Sequence, residues 1–282
     1  IDMPCSFSVM SATAFSMPCF MCKGLQPATT AFRPSLKMAS AITVAVVEDH
    51  PLFREVLSAT PSGDRGKRAQ RGLALALLWS GESAEAAQDW QNIVDSTPED
   101  SDARKNLRLA LVAEARNAAK QNQNQRAADL FRRAMELDSD GKGELLLDYA
   151  EQLTYAGQAA MAVPLFRTIL SQRPSADDER RAQRGLALAL LWSGESNEAA
   201  QAWQKIVDNA PDDGDARKNL REAIVAEARL AASQNQNRRS ADLFARAIAL
   251  DPKRRNELLR EYAEQLSYSE RSSEAVPLFR QV

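Results

Sequence analysis

The chain has 282 residues, 44% hydrophobic and 26% charged, the balance of a folded protein, and no apolar run reaches the roughly 18–20 residues needed to cross a bilayer. Its formal charge of −2 excludes a nonspecific nucleic-acid binder, which needs a basic excess to neutralise phosphates. The single His50 and the three Cys, the last of them Cys22, leave the rest of the chain without the usual soft-metal ligands, and no metal or other cofactor is expected.

Residues 1–38 show no periodicity and carry a doubled Met-Pro-Cys, at Met3–Cys5 and Met17–Cys19. They lack the basic start and clean apolar stretch of a signal peptide. Cys19-Phe20-Met21-Cys22 has neither a second pair for zinc nor a strand–helix setting for redox work. The segment reads as a disordered or non-native extension, with Met38 as the natural start. Ile1 in place of Met, and Val282 inside a helical pattern, read as cut ends. Lack of a leader favours the cytoplasm, with the periplasm open if the true N-terminus is missing.

Residues 39–57 change character. An apolar run, Ile42–Val47, leads into Glu48 and Asp49 and then an amphipathic stretch. This resembles the opening of a response-regulator receiver domain, in which the acidic pair holds Mg²⁺ beside a phosphorylated Asp. The later strands and the acceptor Asp are missing, so phosphotransfer is not expected. Pro51-Leu52-Phe53-Arg54 also stands in register with Pro164-Leu165-Phe166-Arg167 and Pro277-Leu278-Phe279-Arg280. The same residues therefore read either as a receiver fragment joined to a helical array or as a degraded half repeat.

From there the chain repeats at a fixed offset of 113 residues: Trp79 recurs as Trp192, Trp90 as Trp203, Phe131 as Phe244 and Tyr149 as Tyr262. The string RAQRGLALALLWSGES stands whole at Arg68–Ser83 and at Arg181–Ser196. Self-similarity over such a distance marks an array of small units. Each block divides into three helical hairpins. In the first, Leu73, Leu77 and Leu78 fall at helical spacing, Gly81 ends a helix, and Ala86, Trp90 and Ile93 line a second. The second hairpin is DARKNLRLALVAEARNAAK with RAADLFRRAMELD, and the third is GELLLDYAEQLTYAG with AAMAVPLFRTILSQRPS.

Small residues stand where paired helices would touch, an aromatic lies midway along the second helix, and Pro comes after it: Ala74, Ala86, Trp90 and Pro98, then Ala115, Phe131 and Ala134, then Ala150, Ala162, Phe166 and Pro174. This pattern resembles the tetratricopeptide repeat. The resemblance implies an all-α, right-handed superhelical α-solenoid, here in two blocks, 51–169 and 170–282, the second truncated in its last hairpin. Five complete hairpins are expected, with a half unit at each end.

The resemblance also implies a binding groove lined by the first helix of each hairpin. In this register the groove residues are Arg68, Arg71, Leu75 and Trp79, Arg116 and Lys120, Glu151 and Tyr155. Their counterparts are Arg181, Arg184, Leu188, Trp192, Arg229, Glu264 and Tyr268. Arginines with aromatic anchors suit a protein or peptide partner bearing acidic and apolar groups. For Trp79 and Trp192 the alternative is packing between hairpins. Arg104-Lys105 and Arg217-Lys218 sit at helix starts, the wrong end for cations, and pairing with the acidic turns Glu99-Asp100 and Asp212-Asp213 is expected.

No nucleophile–base pair or phosphate loop is found, so no enzyme activity is expected. The expected role is a protein–protein interaction scaffold. The phrases LLWSGE and EYAEQLSYSERSSEAVPLFR resemble tetratricopeptide segments of bacterial envelope and exopolysaccharide-export systems. The other reading is a fragment of a two-component response regulator fused to repeats.

Overall fold

The computed structural model describes residues 63–137 and 142–282. The expectations placed on residues 1–38 and on the receiver-like stretch 39–57 lie outside the described residues. So do His50 and the three cysteines.

The described residues form twelve α-helices in chain order, joined as consecutive antiparallel pairs, with no β-strand among them. They are α1 (Asp64–Ser80) and α2 (Ser83–Ser96), α3 (Ser101–Lys120) and α4 (Asn124–Leu137), and α5 (Lys142–Tyr155) and α6 (Ala159–Ser171). The second half supplies α7 (Ala176–Trp192) and α8 (Ser196–Asn209), α9 (Gly214–Ser233) and α10 (Asn237–Leu250), and α11 (Leu259–Tyr268) and α12 (Ser272–Phe279). Helices α8, α9 and α10 begin and end 113 residues after α2, α3 and α4, so the sequence offset is a structural one. The unit expected as a C-terminal half is a short hairpin with both helices present, the second only 8 residues long.

The close approach of paired helices rests on the small residues. Ala74, Ala115, Ala150, Ala187, Ala228 and Ala263, one in each first helix, are all fully buried. The aromatic of the first five second helices plugs the space toward the following unit: Trp90, Phe131, Phe166, Trp203 and Phe244 are buried. No hairpin could bury such a face alone, so stability comes from stacking on neighbours. The architecture is thus the expected all-α, tetratricopeptide-like solenoid.

Each turn inside a hairpin has one residue in the left-handed region, at the same place in all six: Gly81, Asn122, Gly157, Gly194, Asn235 and Glu270. This explains the polar QNQNQ stretch, because Asn tolerates that conformation where Gly is absent. Between hairpins the starts are capped. The Asp100 carboxylate accepts from the backbone N–H groups of Asp102 and Ala103, and Asp213 accepts from that of Ala216. A carboxylate at the positive end of a helix is favourable. The acidic turns are therefore spent on capping and on Arg71 and Arg184, and no ion pair joins Arg104, Lys105, Arg217 or Lys218 to them among the described residues.

The second copy departs from the first at the start of its last hairpin. Where α5 begins at Lys142, its counterpart is a 3₁₀ turn, Pro252–Glu257, and α11 starts only at Leu259. Pro252 stands 113 residues after Ser139 and holds the preceding Asp251 extended (φ −142°, ψ 86°). The turn is pinned by Glu257, which accepts from Arg254 at 2.7 Å and Arg221 at 3.2 Å.

Candidate functional groove

The residues expected to line a groove lie on the first helices, and the structure gathers some of them into one cleft. Glu151 and Tyr155 of α5, Arg181, Arg184 and Leu188 of α7, and Asp215, Lys218 and Asn219 of α9 line a cavity of about 440 Å³. The buried rings of Phe166 and Trp203 also reach it. Three successive first helices therefore contribute to a single surface. Its residues from α9, Asp215, Lys218 and Asn219, were not among the expected groove positions. They sit one turn into α9, and only the register between hairpins brings them to α7.

The aromatic positions divide in two. Trp90 and Trp203 are core. Trp79 and Trp192 are 66% and 52% exposed, and Tyr155 and Tyr268 are 54% and 68% exposed. Trp79, Trp192, Tyr155 and Tyr268 occupy the last turn of α1, α7, α5 and α11, one register position in four hairpins. Tyr155 and Trp192 meet edge to face, with ring centroids 5.9 Å apart and planes at 69°, a favourable aromatic arrangement. Trp79 stands apart from this pair, and Tyr268 borders a different cleft, with Arg238 and Arg246 of α10. In the second and fifth hairpins the same position holds Lys120 and Ser233, so the stripe is interrupted there.

The arginines have partners, and most partners belong to the next hairpin. Arg71 pairs with Asp100 at 2.5 Å, Arg184 with Asp213, and Arg116 with Asp148 at 3.4 Å. Arg229 donates two hydrogen bonds of 2.8 Å to Glu261. Arg181 reaches back to Asp148 and Glu151, 2.8 Å from each. Arg68, in contrast, is exposed, and no partner for it is found among the described residues. The groove is thus not a field of free positive charge. Its arginines tie hairpins together through forked hydrogen bonds to carboxylates.

The electrostatics follow from these contacts. Burial pushes the Glu151 carboxyl above its ordinary value, against the pull of Arg181. Arg181 is held firmly protonated, chiefly by its hydrogen bond to Glu151. The Arg229 fork holds Glu261 below the usual carboxylate range. The acids missed in the sequence, Asp148 and Glu261, lie three residues before Glu151 and Glu264. That acidic pair, repeated across 113 residues on one helix face, was the available signal.

Among the described residues no group of three or more His, Cys, Asp or Glu is placed to hold a metal, and no helix is long and apolar enough to cross a membrane.

No family model matches the sequence, and no curated protein is similar to it. Solved structures with a similar arrangement include MamA from Desulfovibrio magneticus RS-1, at 18% identity and TM-score 0.40 over 69% of this chain and 99% of that one. YrrB, described as a tetratricopeptide protein with an unusual peptide-binding site, shows 14% identity and TM-score 0.42 over 72% and 93%. A tetratricopeptide repeat protein from Parabacteroides merdae shows 13% identity and TM-score 0.40 over 83% and 94%. The hairpin stack, its small-residue contacts and its buried aromatics define this chain as a tetratricopeptide-like protein on its own coordinates.

Proposed function

We propose that the chain is a noncatalytic scaffold that binds a peptide segment of a partner protein along the face of its first helices. The observation that carries this is the exposure of Trp79, Tyr155, Trp192 and Tyr268 at one register position, while Trp90 and Trp203 are buried. Large rings left in water at a repeated position suit anchoring, since Trp and Tyr dominate binding hot spots. The pairing of the arginines moves the expected ligand away from a strongly acidic segment. It is an extended or helical segment with aromatic or aliphatic anchors, with Lys218 and Asp215 left to orient its polar groups. Peptides selected from a displayed random library test this. Ligands should lose about thirtyfold or more in affinity to the Trp192→Ala variant, the hot-spot range. Selected peptides that bind Trp79→Ala, Trp192→Ala and the parent chain alike would refute the groove.

The finer placement, in a bacterial envelope or exopolysaccharide-export system, rests on the sequence phrases around Leu77–Glu82 and Glu261–Arg280. Deleting the gene should then reduce secreted polysaccharide. Unchanged secretion removes that placement and leaves the groove reading standing.

A further inference from the structure

We propose that the segment held by the groove is a proline-rich, left-handed polyproline II helix of the partner, a ligand class that rests on the groove reading and narrows it.

The seat for such a segment is a pair of rings. Tyr155 ends α5 and Trp192 ends α7, and their planes meet at 69° while both side chains stay exposed. Both lie inside the array, with a described hairpin before α5 and another after α8. Each ring braces the other, so less side-chain freedom is lost when a ligand arrives. Proline-rich segments dock on aromatic-lined surfaces of this kind, where the flat pyrrolidine ring packs against an aromatic face.

The cavity that continues from Tyr155 selects the backbone form. A polyproline II helix makes no internal hydrogen bonds, so its carbonyls need donors, and each proline removes an N–H that would need an acceptor. Lys218 and Asn219 of α9 line this cavity and have no partner among the described residues. Trp203 forms part of the same wall, and its buried Nε1 has no acceptor among them either. A buried donor left unpaired is costly and rare, which marks this wall as short of acceptors. Of the two carboxylates lining the cavity, Glu151 is held by the Arg181 fork, which leaves Asp215 as the free one. Donors therefore outnumber free acceptors.

Other backbone forms fit this inventory less well. A β-like strand brings as many N–H groups as carbonyls, and an α-helix spends both on itself. Charge does not favour an acidic segment, because Arg181 is paired with Asp148 and Glu151, and Arg184 with Asp213. An uncharged segment already stiff in its bound form loses little entropy on docking, which suits a site with two anchoring rings and few ionic contacts to offer.

Selection from a displayed random library tests this and separates it from the groove reading. Peptides that need Trp192 should be enriched in proline and, free in solution, show the circular dichroism of a polyproline II helix. In calorimetric titrations of the full chain, replacing the prolines of such a peptide by alanine should weaken binding about tenfold, through lost pre-organisation. Lys218→Ala, at an exposed site, should weaken the parent peptide about tenfold as well, with the helicity of the chain unchanged. Trp192-dependent peptides that lack proline, or that tolerate its replacement, overturn the proposal and leave the groove standing. A proline-rich peptide that binds Lys218→Ala as tightly as the parent chain overturns it too, since the donors would then play no part. Peptides indifferent to Trp192 remove the groove and the polyproline ligand together.

Discussion

Gly72 and Gly185 have the same neighbours in sequence, but among the described residues only Gly185 meets a packed ring. At Gly185 the ring of buried Phe166 occupies the place of a side chain, whereas at Gly72 the described residues leave that place open. Gly185→Ala should therefore force a packed ring to move, at a cost of about 1–3 kcal/mol. Urea denaturation of this variant against the parent chain checks it, and an unchanged midpoint would mean the stack differs from the one described. Glu270 carries a second residue-scale expectation. Among the turns inside hairpins it is the one left-handed position that holds neither Gly nor Asn, with φ 64°. A left-handed side chain costs about 1–2 kcal/mol, so Glu270→Gly should stabilise the last hairpin by up to that amount, less the entropy glycine loses. Its site in the first copy is Gly157, so the substitution restores a residue the fold already uses there. The small and aromatic core positions could be read from the sequence because each unit repeats them. The pairing of Arg116, Arg181 and Arg229 could not, because their partners sit on a neighbouring hairpin, the following one for Arg116 and Arg229 and the preceding one for Arg181, and depend on stacking register.

At the scale of elements, helix ends were legible at Gly81 and its copy Gly194, whereas Asp100 and Asp213, expected to pair with the cations that follow them, cap helix starts instead. The delayed start of α11 was less legible, because a proline and a carboxylate held by Arg221 act together there. The ties between hairpins give these elements a pH dependence. The folded Glu261 carboxyl lies below its ordinary 4.5 because Arg229 hydrogen-bonds it. Such a group contributes stability that is fully present above the unfolded value and lost as pH falls through the folded one. The parent chain should accordingly melt above Glu261→Gln near neutrality, and the gap should close as the solution is acidified below about pH 4.5. A gap that persists at low pH would mean the fork does not form in solution. The pair is largely exposed, so the gap should be small and shrink in high salt.

On the scale of the whole molecule, the buried residues fall into three clusters that do not follow the 113-residue duplication. Among the described residues one joins the first two hairpins with Leu145, one runs from Leu147 through Leu258 and takes in Ala128 of α4, and a small one holds Ala241, Ala263, Leu266 and Ala275. Contacts link each helix mainly to its sequence neighbours, so loss of stability in one hairpin should spread only to those beside it. Trp90→Ala removes a buried ring from the first cluster, a loss of about 3–5 kcal/mol for a change of this kind. Amide exchange in that variant should accelerate through α1–α4 and leave α8–α10 close to the parent rates, because their cluster keeps every ring it had. In the parent chain, α11 and α12 should exchange fastest among the described helices, having the smallest cluster. Uniform acceleration along the chain would instead require one cooperative core, and the three clusters would then have no separate energetic meaning.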